Sequence, residues 1–268
     1  MIDCILLSTP KRIEWLKKSV DSIDLLNFKF NKKIISVDII DQDWIEDSVV
    51  EYFKNKGWIV DVVSFKSKHL SFKHALEISK SEYIFYTEDD IIIDYIPENI
   101  NDILKIDFNN KKCGILSFNL GGSLLRYPHA FGDMDSIEER IVYKKDNEIS
   151  FIRDINKKNN FFVEFPAMFI HNDIIKNLLS GPQIDNQNIE LNLSSRYFSN
   201  NYHNYYFKQC MCYDKILEVM DYLNKNRNLP VHDADIMMEG CKFYKLLDPN
   251  QGGYLGGLDL KKINYIKK

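Results

Sequence analysis

Over its first ninety residues the chain repeats one unit, a short apolar run followed by an amphipathic stretch of helical period. "CILLS" (4–8) leads into "TPKRIEWLKKSVDSI", where Thr9 can cap, Pro10 suits the first helical position, and Ile13, Leu16, Val20 and Ile23 share a face. "KKIISVDII" (32–40) reads as a second strand, "WIEDSVVEYFKNKG" as a helix closed by Gly57, and "WIVDVVSF" (58–65) as a third strand. Ser71 is expected to cap the helix "FKHALEISKS", and "EYIFY" then forms a fourth strand that ends in Glu88, Asp89 and Asp90. Strands alternating with helices at this spacing predict an α/β fold with a mainly parallel sheet, which binds ligands at the carboxyl ends of its strands.

Three adjacent carboxylates repel one another, so they lie in open solvent or around a cation. Acids after a strand often only cap the next helix, and Pro97 in "IPEN" marks such a start. With a strand ending at Tyr86 or Thr87, however, Glu88 and Asp90 point the same way under a period of two. Paired carboxylates suit a divalent ion that prefers hard oxygen ligands, Mg2+ or Mn2+ bridging a diphosphate.

The order of these segments resembles the GT-A fold glycosyltransferases, in particular the family-two-like enzymes that use nucleotide-diphosphate sugars. The matching stretches are "ILLSTPKRIEWLKKSVDSI", "KKIISVDIID" and "HALEISKSEYIFYTEDD", covering roughly residues 1–120. The resemblance implies a GT-A (Rossmann-like) domain whose residues 1–120 bind the nucleotide-sugar and whose residues 121–268 hold the acceptor and the catalytic base. It further implies that Thr9, Pro10, Lys11 and Arg12 pass along the nucleotide. Asp38 would accept from the base, most simply a uracil imide, and Lys73 or His74 would face the diphosphate. Glu88 stands where the family's D-x-D motif has its first aspartate, Asp90 supplies the second, and Asp89 between them orients the loop. Asp90 is then the direct Mn2+ or Mg2+ ligand, while the longer Glu88 reaches the ion directly or through water.

In the family a late acidic signature opens a helix, and its aspartate is the general base of inverting members. Two segments compete for that place. "VHDADIMMEGCKFYKLL" (231–247) offers Asp233, with Gly240 and a strand to follow, and "NIELNLSSRYF" offers Glu190. The first fits the order better, so Asp233 is the expected base. His232 beside it is either a metal ligand or a hydrogen-bonded structural residue. "CGILSFN" (113–119) reads as a strand, "FFVEFPAMFIHNDIIKNLL" as a strand and then a helix, and "VYKKDNEISFIRDINKKNN" (142–160) as a hairpin or a mobile loop. "RYFSNNYHNYYF" (196–207) mixes aromatic rings with amides, which suits sugar stacking or an aromatic anchor for an insertion. The glycine-rich "DPNQGGYLGG" (248–257) could close over the donor or simply turn. The basic, partly apolar ending "LDLKKINYIKK" reads as a solvated tail, with a contact to a phosphate or an anionic membrane surface as the alternative.

Composition narrows the rivals. A net charge of -4 argues against wholesale nucleic-acid coating, which leaves a nucleic-acid acceptor less favoured than a saccharide or another hydroxyl-bearing one. The 5 cysteines are scattered without a C-x-x-C pair, so neither a disulfide framework nor a zinc site is expected. No stretch has the length of a bilayer span and the N-terminus lacks a leader pattern, so a cytoplasmic, soluble chain is expected. No glycine precedes Gly57, whereas a sugar-phosphate nucleotidyltransferase or a dinucleotide-dependent dehydrogenase needs glycine in the loop after its first strand. Both are thereby demoted, and the alternatives kept are a catalytically silent binding module of the same fold or a sugar-phosphate nucleotidyltransferase.

Overall fold

The structure, a computed structural model, describes residues 1–40, 43–89, 91–93, 96, 100–108, 113–117, 137–143, 149–154, 167–181, 193, 196, 203–207 and 244–246. Asp90, Glu190, His232, Asp233 and the glycine-rich 248–257 segment lie outside them. The first strands are β1 (Ile2–Ser8), β2 (Lys33–Asp38), β3 (Ile59–Val63), β4 (Tyr83–Glu88) and the short β5 (Ile91–Ile93). There follow β6 (Cys113–Ser117), β7 (Ile137–Tyr143), β8 (Ile149–Asp154), β9 (Ala167–His171), β10 (His203–Phe207) and β11 (Tyr244–Leu246). The helices are α1 (Ile13–Asp24), α2 (Asp47–Asn55), α3 (Lys68–Ile78), α4 (Ile100–Phe108) and α5 (Asn172–Ser180), with a 3-10 turn over Pro10–Arg12 before α1.

Nine strands form one sheet in the order β3-β2-β1-β4-β9-β6-β10-β8-β7. β3, β2, β1 and β4 are mutually parallel, and only β9 and β8 run against the common direction. The expected α/β class with a mainly parallel central sheet and flanking helices is therefore the one the chain forms. β5 and β11 pair antiparallel in a separate two-stranded sheet. Within the described residues the sheet joins both halves of the sequence, because β9 sits between β4 and β6.

Alternation along the strands builds two cores. Ile2, Cys4 and Leu6 of β1, Ile35 and Val37 of β2, Phe85 of β4 and Phe169 of β9 face Leu16, Val20 and Ile23 of α1 and Phe53 of α2. Ile5, Leu7, Ile34, Ile84, Tyr86, Met168 and Ile170 face the other way, onto Phe72, Ala75 and Leu76 of α3 and Ile175, Leu178 and Leu179 of α5. The central strands thus read as continuous apolar runs, buried on both faces.

Several local expectations shift. β4 does not stop at Tyr86 or Thr87, since the ladder with β1 continues to Glu88 opposite Leu7. α3 is capped by Ser67, whose hydroxyl accepts from the Leu70 N–H at 3.3 Å. Ser71, the expected cap, lies inside the helix and donates instead to Asp38 and to the Ser67 carbonyl. The 142–160 segment contributes to a hairpin, with β7 and β8 paired antiparallel. The aromatic-rich 196–207 segment ends as β10, an inner strand between β6 and β8. Among the described residues no helix is long and apolar enough to cross a membrane.

Candidate active site

β1, β2, β3 and β4 all end on the same side of the sheet, and a cleft of about 200 Å³ opens where they stop. Each strand supplies part of its wall. Ser8 ends β1 and Thr9 and Arg12 follow it, Asp38 ends β2 with Ile40 beyond it, Lys66, Ser67, Lys68 and Ser71 follow β3, and Glu88 ends β4 with Asp89 next. Such a crevice at the carboxyl ends of parallel strands is where the fold places ligands, because connecting loops converge there without blocking the sheet face.

Asp38 organises one wall. Its Oδ1 accepts from the N–H groups of Phe65 (2.9 Å) and Lys66 (3.0 Å), and its Oδ2 accepts from the Ser67 N–H (2.9 Å) and the Ser71 hydroxyl (2.8 Å). Four donors fill about the four acceptor sites a carboxylate has. Lys66 is held in the left-handed region at φ 53°, a conformation a non-glycine residue adopts only when its surroundings impose it. The buried carboxylate is that imposition, drawing three successive N–H groups to one point.

Asp89 organises the opposite wall. Its side chain is 2% exposed, accepts from the Ser8 hydroxyl at 2.7 Å, and pairs with the Arg12 guanidinium at 2.8 Å. Burial pushes its carboxyl up to about 6, against the opposing pull of Arg12 and Ser8. The Arg12 guanidinium also lies 4.7 Å above the Trp15 ring. The loop after β1 is thereby tied to the end of β4.

Glu88 points to the other side of the sheet from Asp89's partners, as strand alternation requires, and faces α3. There its carboxylate pairs with the Lys68 ammonium, and the Tyr86 hydroxyl reaches the same oxygen at 3.4 Å. Glu88 keeps 18% of its side-chain surface exposed, so one carboxylate at the end of β4 is open to the cleft.

The sequence-predicted residues divide accordingly. Thr9, Arg12, Asp38, Glu88 and Asp89 are brought together. Pro10 starts the 3-10 turn behind them, and Lys11 points away, 73% exposed, toward Asp43 at 3.4 Å. Lys73 and His74 are not on the cleft wall. His74 contacts Asp61 at 2.7 Å through Nδ1 and packs its ring against Phe65. Five residues along a helix turn the side chain by about 140°, so a cation facing the cleft from α3 belongs at Lys68 and not at Lys73. Lys66 and Lys68 were missed because the helix start was read at Ser71. Reading Ser67 as the cap, in "SFKSKHL", puts a lysine at the first helical position.

No protein-family model matches the chain, and no curated protein matches it in sequence. Among solved structures it is similar to a mycobacterial protein at 11% identity, with a TM-score of 0.48, over 77% of this chain and 65% of that one. It is similar to glucosyl-3-phosphoglycerate synthase from Mycobacterium tuberculosis, solved with Mn2+, UDP and glucosyl-3-phosphoglycerate, at 10% identity and TM-score 0.45 over 74% of this chain and 65% of that one. It is also similar to S. aureus TarS 1-349 at 12% identity and TM-score 0.44, over 100% of this chain and 78% of that one. The chain spans slightly under two thirds of the first two. At TM-scores below 0.5 the fold rests on this chain's own strand order.

Proposed function

We propose that the chain is a metal-dependent glycosyltransferase that moves a sugar from a nucleotide-diphosphate donor, most simply a UDP-sugar, to an acceptor hydroxyl. The observation that carries this reading is the convergence at four parallel strand ends of the partly exposed Glu88 carboxylate with the cationic side chains of Arg12, Lys66 and Lys68. A diphosphate needs cations, and a divalent metal needs hard oxygen ligands, side by side. Residues 1–120 would form the donor half and residues 121–268 the acceptor half of one domain.

In this reading Thr9, Pro10, Lys11 and Arg12 border the nucleotide. Asp38 shapes the base end of the cleft through the 65–67 loop, and a uracil imide would share its already occupied oxygens. Lys68 joins Lys73 and His74 as a candidate for the diphosphate and is the one of the three that lines the cleft. Among the described residues no group of three His, Cys, Asp or Glu side chains stands together as a metal site, and Glu88 presents a carboxylate to the cleft while Asp89 is consumed by Arg12 and Ser8. Glu88 and Asp90 would hold the ion, with His232 a further candidate. A bound ion supplies charge stabilisation to the departing nucleoside diphosphate without proton transfer. Arg12 and Lys68 add fixed positive charge at the same end of the cleft. The acceptor hydroxyl needs a carboxylate within hydrogen-bond reach, and Asp233 is proposed as that base, with Glu190 the rival.

Thermal melting with UDP, CTP and UDP-sugars, with and without Mn2+, tests the reading, because ligands that bind the native state raise its melting temperature by mass action. A metal-dependent rise with UDP, lost in Asp90→Ala, is the expected result. The absence of any UDP-dependent rise with Mn2+ present would overturn the donor assignment. Transfer that survives Asp233→Asn but not Glu190→Gln would move the base to Glu190.

A further inference from the structure

α5 ends against α3, and two side chains from elsewhere close its last turn. The Arg196 guanidinium donates to the Leu178 carbonyl at 2.6 Å and lies on Gly181, where a Cβ would meet its Cζ at 2.7 Å. The next carbonyl, that of Leu179, accepts from the ring of His69, the second residue of α3. Carbonyls at a helix end have no partner within their own helix, so side chains commonly satisfy them. His69 is 3% exposed, and its Nδ1 is buried with no hydrogen-bond partner among the described residues, which leaves Nε2 as the donor to Leu179. Two cations act on the ring, Arg196 and, one turn along α3, Lys73. The acids on the same face of the sheet, Asp3, Asp38, Asp61 and Glu88, are held by Ser79, Ser71, His74 and Lys68, and the Tyr86 hydroxyl turns to Glu88. Asp173 and Lys176 of α5 are exposed.

We propose that His69 is a proton-operated latch between α3 and α5, whose protonation at Nδ1 separates the two helix ends and slackens the cleft wall formed by Ser67, Lys68 and Ser71. Protonation adds a buried N–H with no acceptor, and it adds charge beside Arg196 at the positive end of α3. The charged ring is satisfied by moving out to solvent, which gives up Leu179. Burial, and after it the charges of Arg196 and Lys73, push the imidazole below its ordinary 6.5, and the Leu179 carbonyl offsets this only in part. A histidine held below its unfolded value stabilises the closed contact fully above pH 6.5, and this stabilisation shrinks as pH falls below it. Ser67, Lys68 and Ser71, on either side of His69 in the chain, line the cleft, so the latch acts on the first turn of α3 from behind. It stands apart from the transferase reading, because no step of it needs a ligand in the cleft.

Two measurements on the full chain test the latch. In an NMR titration of the histidine rings, His69 is expected as the Nε2–H tautomer with a midpoint below 6.5, and Lys73→Met, which removes an exposed cation, is expected to raise that midpoint. In hydrogen exchange read by mass spectrometry and corrected for the intrinsic pH dependence, peptides covering 65–72 and 174–181 should open more readily as pH falls below 6.5. The slope is up to about tenfold per pH unit, that of one proton. Peptides from β1 and α1 should not follow. His69→Gln keeps an N–H for Leu179 and does not titrate, so it should hold both segments closed with a flat pH profile, while His69→Leu should leave them open at every pH. Flat wild-type opening, a His69 midpoint at or above 6.5, or acid opening retained in His69→Gln overturns the latch. Equal acid opening of β1 and α1 also overturns it, since that is global unfolding and not release of one contact. The wild-type titrations stand without any variant, so a failure of His69→Gln to fold leaves the test decisive.

Discussion

Asp38 shows how much one carboxylate can decide. Four donors converge on it, three from consecutive backbone positions, and it keeps Lys66 in a left-handed conformation at the cleft wall. Asp38→Asn turns one acceptor into an NH2 group facing donors, which strands buried N–H groups. Hydrogen bonds to a charged partner are worth about 1.5–3 kcal/mol each, so a loss of about 2–4 kcal/mol is expected after partial relaxation. Urea unfolding monitored by circular dichroism measures it. The same variant is expected to weaken nucleotide binding, because the 65–67 loop that frames the cleft loses its anchor.

At the scale of elements, capping decides where side chains point. α2 ends in a Schellman arrangement, with the Gly57 N–H donating to the Lys54 carbonyl at 2.9 Å and the Trp58 N–H to the Phe53 carbonyl at 3.1 Å. Gly57 has φ 79°, and a Cβ built on it meets nothing within 4 Å. The cost of Gly57→Ala is therefore conformational and not steric, about 1 kcal/mol, visible as a lower melting temperature with cleft binding unchanged. The α3 cap was harder to read. "SFKSKHLSFKH" contains three serines that could start a helix, and only the Asp38 carboxylate, which draws Ser71 inward and Ser67 N–H to itself, selects Ser67. Placing the start four residues late rotated the expected cation to Lys73 and hid Lys68.

Across the whole molecule, two cores on opposite sheet faces bind the halves of the chain together. Phe85 of β4 lies 5.6 Å from Phe30 and 4.8 Å from Phe169 of β9, so the aromatic packing crosses from the first half of the sequence to the second. At the far end of β1 from the cleft, Asp3 is a buried tie. It accepts from the Ser79 and Ser81 hydroxyls, from Asn31, and from the N–H groups of Lys32, Lys80 and Ser81. Burial alone would raise its carboxyl, but the hydrogen bonds from Ser79, Asn31 and Ser81 outweigh it and hold the group below its usual range. A depressed carboxyl stabilises the fold above its unfolded value, near pH 4, and this stabilisation is lost as pH falls through the lower folded value. Asp3→Asn should accordingly be less stable than wild type at pH 7, with the gap narrowing below about pH 4 in denaturant titrations at several pH values.

Strand and helix order in the first half was legible from the sequence alone, since apolar runs and helical periods are local and the central strands are buried on both faces. So was the delivery of acids to a strand end, which needs only the direction of the chain through "EYIFY". Tertiary structure decided which residues meet. The pairing of β4 with β1 extended the strand to Glu88, and the placement of β9 between β4 and β6 joined the two halves. Arg12 and Asp89 stand 77 residues apart in the chain, and Lys68 and Glu88 stand 20 apart, yet both pairs share one cleft. Those contacts depend on sheet order and on which face each side chain leaves, and no local pattern encodes either.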